Sequence, residues 1–309
     1  LGSAAVIAVA GTKMTRIADI LADRTGLGEA LVGGVLLGVS TSLSGTVTSI
    51  TAALEGQASL AVANGIGGIA AQTLFLAAAD ALYRRANLEH AAASPTNMLQ
   101  AALLLLMLVL PLGAALIPPA TFLAIHPVTP LLVAVYIGGL RLADSVRTRP
   151  MWEPKATAEL RMDTPEAASF DGPSTARLSV TYAGLLAVLA LAGWSTAASG
   201  LAIAATTGLS QSFVGAMFTA VATSLPELVT TLAAVRRGAL TLAVGGIIGG
   251  NTFDVLFLVA SDIAYREGSV YHAVGAAELF LFTWAMAMTA VLLLGMLRRE
   301  RQGVGHIGF

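Results

Sequence analysis

Two carboxylates in this chain stand where a membrane would place hydrocarbon. Between residues 221 and 255 the apolar sequence is interrupted twice, by Thr223-Ser224-Leu225-Pro226-Glu227 and by Gly249-Gly250-Asn251-Thr252-Phe253-Asp254. An ionisable side chain within a membrane segment is costly and normally faces a packed interior or a wet cavity on an ion or proton path. Glu227 and Asp254 are therefore the candidate cation ligands or proton carriers. Pro226 adds to this, because it removes a backbone donor and clashes with the carbonyl a turn earlier, freeing carbonyls around Ala222 and Thr223. Freed carbonyls at membrane depth persist only where something satisfies them, and a bound cation is one such partner. A plain proline kink, with Glu227 paired elsewhere, accounts less well for a second acid one hairpin away.

The elements that must position these residues are membrane helices. The chain is 56% hydrophobic and 11% charged, with a mean hydropathy of +0.80, whereas soluble domains carry about 25% charged residues. We expect an all-α polytopic membrane protein whose partners are the lipid bilayer and small inorganic cations. A net charge of -1 offers nucleic acid nothing. The absence of cysteine excludes disulfides, thiolate metal sites and cysteine nucleophiles. The expectation is a transporter that needs no cofactor beyond the cations it carries, and not an enzyme.

Read in order, residues 1–10 form the end of a first span that continues through the more polar 12–24, where Lys13, Arg16, Asp19, Asp23 and Arg24 gather at a wet end. Further spans are expected over 27–54, 58–82, 98–117 and 120–142, each near or above the roughly 20 residues that cross a hydrocarbon core. Residues 143–176, with mixed charges and four prolines, read as a solvated loop. Spans resume over 178–203, 210–235, 239–264 and 274–297, making nine. Lys13, Arg16 and Arg24, Arg84 and Arg85, the long loop, Arg236 and Arg237, and Arg298, Arg299 and Arg301 fall on one side, and only Arg266 on the other. The positive-inside rule makes the rich side cytoplasmic, with the amino terminus outside and the protein multi-pass in an inner membrane. Because the chain opens on Leu1 within an apolar run and closes without a tenth span, a fragment or processed product is expected.

Sliding the sequence by 182 residues aligns its halves without a gap from Gly2 and Gly184 to Arg84 and Arg266. Thr41-Ser42-Leu43 falls on Thr223-Ser224-Leu225, Leu74-Phe75-Leu76 on Leu256-Phe257-Leu258, and Asp80 on Asp262. Five spans separate the copies, so the second half must be inverted relative to the first, with the two breaks meeting near the midplane. The predicted organisation is a first transmembrane repeat over 1–142, a cytoplasmic loop over 143–176, and an inverted, incomplete second repeat over 177–309: two inverted five-helix repeats with nine spans visible and the tenth missing.

These residues resemble the cation/Ca²⁺ exchanger superfamily, which includes Na⁺/Ca²⁺ and H⁺/Ca²⁺ antiporters. The likeness rests on Ala222-Thr223-Ser224-Leu225-Pro226-Glu227, followed 27 residues later by Asp254 at the end of Gly245-Gly246-Ile247-Ile248-Gly249-Gly250-Asn251-Thr252-Phe253-Asp254, and it covers essentially the whole chain. The resemblance implies that Glu227 ligates the cation, that Thr223 and Ser224 line the site, and that Asp254 completes it, with Thr41, Ser42 and Gln72 contributing from the first repeat. It implies a secondary antiporter moving Ca²⁺ or another cation against Na⁺ or H⁺ by alternating access. A monovalent cation/H⁺ exchanger, or a non-transporting membrane subunit with a vestigial site, are the alternatives.

The first repeat departs from that pattern. Ser44-Gly45 stands where the second repeat has Pro226-Glu227, Gln72 stands at the position of Asp254, and Gly68 and Gly250 replace a small serine. Ca²⁺ takes roughly six to eight oxygen ligands including carboxylates, and this site supplies two negative charges, from Glu227 and Asp254. The missing side chain at Gly45 is expected to leave a space opposite Glu227, filled by water or by a polar neighbour such as Gln72.

Other polar residues carry blander expectations. Glu278, near the end of the ninth span, is expected to reach the membrane interface. Asp80 and Asp262 stand four residues before Arg84 and Arg266, the spacing of a helix-surface ion pair. His90, His126, His272 and His306 fall in loops or at span ends without ligand spacing. Gly33, Gly34, Gly38, Gly67 and Gly68 serve close helix approach, and Gly65-x-Gly67-Gly68 is not a nucleotide loop, since no strand precedes it.

Overall fold

In a computed structural model of the chain, the described residues are 1–25, 31–83, 87–152 and 173–298, with backbone alone at 19, 22–25, 31–39, 82 and 237. Most of the expected long loop, Arg84, Arg85, Arg299, Arg301 and His306 lie outside them, as do the surroundings of Gly33, Gly34 and Gly38.

The first repeat is built from α1 (Gly2–Thr25), α2 (Leu31–Leu54), α3 (Ala58–Leu82), the short α4 (Leu88–Ala91), α5 (Pro95–Leu116) and α6 (Val128–Thr148). The second comprises α7 (Thr175–Thr207), α8 (Gln211–Val214), a π-helical turn (Gly215–Thr219), α9 (Ala220–Thr223), α10 (Leu225–Arg237), α11 (Leu240–Asp254), α12 (Leu256–Ala264) and α13 (Ala276–Leu297). The ends of α1, α2, α3 and α5 recur within one residue of 182 positions later, at the ends of α7, α10, α12 and α13. The repeat thus extends one helix beyond the residues whose types match. Among the described residues six helices are long and apolar enough to cross a membrane, and the bent pair Gln211–Thr223 and Leu225–Arg236, taken as one span, makes a seventh.

Local chemistry sets the boundaries. Ser94, Ser174 and Ser210 accept hydrogen bonds from the amides of Asn97, Arg177 and Phe213 and so start α5, α7 and α8. Gly208 and Gly238 end α7 and α10 with φ of 73° and 81°, a left-handed cap that costs other residues more. The fifth span begins at Val128, not at 120. His126 precedes Pro127, which disfavours helical backbone at 126, and residues 122–125 instead close a small turn through paired Phe122 and Ile125 backbone bonds. The helix regains its length at the other end, so 143–148, expected as loop, is helical.

The inversion is visible in side-chain contacts. Gln211, at the start of the second repeat's counterpart of α2, donates to Gln57, just past the end of α2 itself. The start of one copy therefore meets the end of the other. Ile7, Ala10, Met14, Ile17 and Leu21, spaced three and four apart, form one buried face of α1 against Leu178, Tyr182 and Leu189 of α7. A second core gathers α3, α5, α6, α12 and α13 around Leu104, Leu108, Leu132, Leu258 and Phe282. Outside it, Leu106, Val109, Ile137, Phe280, Trp284 and Leu294 are exposed, the apolar surface that lipid covers.

Two carboxylates lock the helix ends. Asp262 does not pair with Arg266: it is buried, accepting from the backbone amides of His126 at 2.8 Å and Val270 at 3.0 Å and from the Thr129 hydroxyl at 2.6 Å. Arg266 instead donates to the carbonyl of Ile263. Asp80 makes the equivalent bond in the first repeat, accepting from the amide of Leu88 at 2.7 Å. In both halves the acid holds the backbone eight residues on, a stronger use of a buried charge than an exposed ion pair. Glu278 is likewise buried rather than interfacial, taking the Gly275 amide and the Ser212 hydroxyl at the start of α13.

His126 lies beside Asp262, Tyr271 and His272 in the loops joining these helices. Burial lowers its pKa below the ordinary 6.5, the adjacent His272 lowers it further, and Asp262 opposes both. A lowered folded-state value means that the unfolded chain binds the extra proton, so stability is full above about pH 6.5 and declines as pH falls below it. Thermal unfolding in detergent should show a midpoint that drops on acidification, with a shallower drop in His126→Asn; identical slopes would refute the assignment. The inversion places positions 55 and 237 on opposite faces. Single cysteines there, in a chain that has none, should label from opposite sides of a sealed vesicle, and labelling from the same side would contradict it.

Candidate functional site

Pro226 sits in the first turn of α10 and cannot donate to the carbonyl of Ala222. The chain therefore leaves the helical path at Ser224 (φ -93°, ψ 7°) and resumes in α10 at an angle of 49°. This puts Glu227 in the first turn of a new helix, where the positive end of the dipole favours an anion. A second, milder interruption at Val255 separates α11 from α12, so that the Leu258 amide bonds the carbonyl of Val255. Asp254 is the last residue before it.

The first repeat meets both breaks with an unbroken helix. Ser44, without proline's constraint, leaves α2 continuous through Thr41, Ser42 and Gly45. Ser42 donates its hydroxyl to Asp254 Oδ1 at 2.6 Å, and Gln72 of α3 donates its amide to Asp254 Oδ2 at 2.6 Å. The same Gln72 nitrogen lies 3.3 Å from the Ser224 hydroxyl. The Thr41 hydroxyl and the residue's own amide bond the Glu227 carboxylate. Thr223 donates to the carbonyl of Ala220. All seven residues singled out from sequence, Glu227, Asp254, Thr223, Ser224, Thr41, Ser42 and Gln72, are buried; Thr41, Ser42 and Gln72 lie within α2 and α3, and the other four flank the two breaks.

Two oxygens in this cluster have no hydrogen-bond partner, Glu227 Oε2 and Gln72 Oε1. A buried acceptor without a donor is costly, and more so when charged. Among the described residues no lysine or arginine is buried, and no three acidic or histidine side chains cluster. The donor set is thus oxygen alone: two carboxylates, hydroxyls and an amide carbonyl. Such a set suits hard cations of the alkali and alkaline-earth groups rather than transition metals.

The space opposite Glu227 is filled neither by water nor by Gln72. A Cβ on Gly45 would stand 2.5 Å from Phe257 Cε2, so the aromatic ring occupies that position. Gly68 does line the site: a Cβ there would lie 3.4 Å from Asp254 Oδ2 and 3.5 Å from the Ser224 hydroxyl. Gly67 serves close approach, packing on the backbone of Ala216.

Sequence reading missed three residues. Asn64 is fully buried and bridges the repeats, donating to the Gly45 carbonyl at 3.1 Å and the Ser49 hydroxyl at 2.9 Å and accepting from Thr219 at 2.7 Å. Asn251 donates to the Thr73 hydroxyl at 3.1 Å. A lone amide in an apolar span is a signal that could have found both. Phe257 left none, since a phenylalanine in a membrane helix is ordinary.

Inverted helical repeats whose breaks meet at buried carboxylates are the architecture of a secondary transporter. The sodium/calcium exchanger protein family matches residues 1–139 and 178–306, and the chain belongs to that family, one of transporters and not of enzymes. Among its relatives, the proposed antiporter CaxA of Alkalimonas amylolytica is 27% identical over 282 residues, covering 91% of this chain and 83% of that one. Inner membrane protein YrbG of Escherichia coli K12 is 24% identical over 268 residues, covering 86% and 78%. In fold, the chain is similar to the solved sodium/calcium exchanger from Methanococcus jannaschii, with a TM-score of 0.54, 21% identity and coverage of 94% and 87%.

The Ser42 bond to Asp254 should be worth about 1.5–3 kcal/mol, as expected for a hydrogen bond to a buried charge. Ser42→Ala should lower unfolding stability by that amount in the parent and by at least about 1 kcal/mol less in an Asp254→Asn background. Equal costs in both backgrounds would show that the hydroxyl and the carboxylate do not couple.

Proposed function

We propose that the protein is a secondary active cation antiporter that moves Ca²⁺ or another hard cation against Na⁺ or H⁺ by alternating access, with the cation held between Glu227 and Asp254. The observation that carries this reading is the unpartnered Glu227 Oε2 beside Asp254 and the unpartnered Gln72 Oε1, both buried. Two buried like charges are costly unless neutralised. One divalent cation, two protons, or one monovalent cation together with a proton balances them, which is the condition for exchange at a single shared site. Thr223, Ser224, Thr41, Ser42 and Gln72 supply the remaining oxygens or hold the carboxylates in place. The breaks at Ser224 and Val255 let the second-repeat ligands reorient while α2 and α3 keep the first-repeat ligands in line.

The occupancy of Gly45's side-chain position by Phe257 removes one source of ligands and favours a second reading, a monovalent cation/H⁺ exchanger. The segments that end with α6 at Thr148 and begin with α7 at Thr175 form the two opposed transmembrane repeats, joined on the cytoplasmic side of the inner membrane. The amino terminus lies outside, the orientation in which the positive-inside rule places the exposed Lys13, Arg16, Arg147, Arg236 and Arg298 in the cytoplasm and Arg266 on the other side.

Flux into proteoliposomes under separate Ca²⁺, Na⁺ and H⁺ gradients distinguishes the readings. Glu227→Gln retains the shape of the side chain but removes its charge, so flux should fall at least tenfold while the unfolding midpoint is retained. Undiminished flux in a folded Glu227→Gln protein would overturn the proposed site.

A further inference from the structure

The two halves of the site differ by one steric exchange. Position 45 is the counterpart of Glu227, and Phe257 the counterpart of Phe75. In the second half an acid fills its position and Phe75 is only partly buried. In the first half glycine stands at 45 and the Phe257 ring fills the space, with Cε2 and Cζ at 2.5 Å and 2.8 Å from where a Cβ would be. A second glycine accommodates the same ring: a Cβ on Gly65 would lie 3.4 Å from Phe257 Cβ and 3.6 Å from Cδ2. Phe257 is 3% exposed, wedged between α2 and α3. A side chain at 45 and this ring exclude each other.

The wedge covers oxygen. The position of a Gly45 Cβ lies 3.5 Å from Thr223 Oγ1, and that of a Gly65 Cβ lies 3.6 Å from the carbonyl of Asp254. The interruption at Val255 directs the Leu258 amide to the Val255 carbonyl instead of to that of Asp254. The two positions that Phe257 crowds are thus each within 3.6 Å of an oxygen, a hydroxyl in one case and a carbonyl in the other, of the kind that bind hard cations. Core filling alone does not call for oxygen-bearing neighbours at this spot, and a ring there keeps water and a second ion away from the Asp254 side.

We propose that Phe257 determines how many ions the site holds, closing its first-repeat half so that a single cation binds at the Glu227 and Asp254 half. The inference rests on the cation-site reading above. Removing the ring uncovers Thr223 Oγ1 and the Asp254 carbonyl and admits a second monovalent cation, whereas an aliphatic replacement keeps the half closed.

Calorimetric titration of the purified protein with Na⁺ and, separately, with Ca²⁺ tests this. The parent and Phe257→Leu should each bind one ion. Phe257→Ala should bind two Na⁺ ions, with Ca²⁺ affinity changed by roughly tenfold. A merely structural role would lower the unfolding midpoint in both variants without changing the number of ions. If Phe257→Ala does not fold, Gly45→Ala displaces the ring from the other side and should likewise add an ion. An unchanged ion number in the folded variant, or a parent that already holds two ions, overturns the proposal and leaves the cation site standing. Absence of any cation binding in parent and variants overturns both readings.

Discussion

Two carboxyl groups buried without a positive side chain are the constraint to which the rest of this structure answers. Glu227 and Asp254 are 4% and 2% exposed, and every lysine and arginine whose side chain is described is exposed. Protein dipoles therefore have to carry what an arginine would otherwise supply. Both Asp254 oxygens receive charge-assisted donors, and both donors come from the other repeat, Ser42 from α2 and Gln72 from α3. This carboxylate is consequently a joint between the halves. Glu227 is less fully served, which leaves it the oxygen that a cation would satisfy.

The asymmetry of the repeats follows from one residue pair. Where Pro226 breaks the helix, a new N-terminus appears at membrane depth and Glu227 sits in its first turn. Where Ser44 replaces the proline, α2 runs on unbroken and position 45 lies inside a helix whose amides are already committed. A carboxylate there would have neither a helix end nor a free amide to stabilise it. Loss of the proline and loss of the acid are thus two parts of one physical change. The glycine that results is also what the Phe257 ring needs.

Much of this was legible in the chain because membrane burial makes polar residues conspicuous. The helices α3 and α11–α12 fall at the predicted residues, since hydropathy and the repeat offset both mark them. Glu227, Asp254, Ser224, Thr41, Ser42 and Gln72 come together, because the internal repeat identifies positions that a pseudo-two-fold axis must bring together. What stayed hidden depends on contacts that hydropathy does not encode. The spacing of Asp262 and Arg266 suits a surface pair, yet the Asp262 side chain turns toward the backbone of two loops. The start of α6 was obscured because residues 120–125 are apolar enough to read as membrane, although Pro127 and the Asp262 bonds keep them out of the helix. The place of the Phe257 ring could not be read from sequence, because a missing side chain at 45 does not say which neighbour enters.

The long helices α1 and α7 extend the same logic beyond the ligands. Gly11 of α1 packs against Pro226, where a Cβ would come within 2.5 Å of the proline ring, and Gly193 of α7 packs against the carbonyl of Ser44, where a Cβ would come within 2.4 Å. Gly11 and Gly193 are repeat counterparts, as are Pro226 and Ser44. Each long helix thus crosses the opposite repeat at the residue immediately before the ligand position, Glu227 in one case and Gly45 in the other. On the α7 side the crossing is pinned, because the Thr48 hydroxyl donates to the Gly193 carbonyl at 2.9 Å. On the α1 side the partner atoms are the carbons of a proline ring, which offer van der Waals contact and no directional bond. Such a contact resists compression strongly and sliding weakly, so the freedom of the fold is placed beside the carboxylate that has an oxygen to spare.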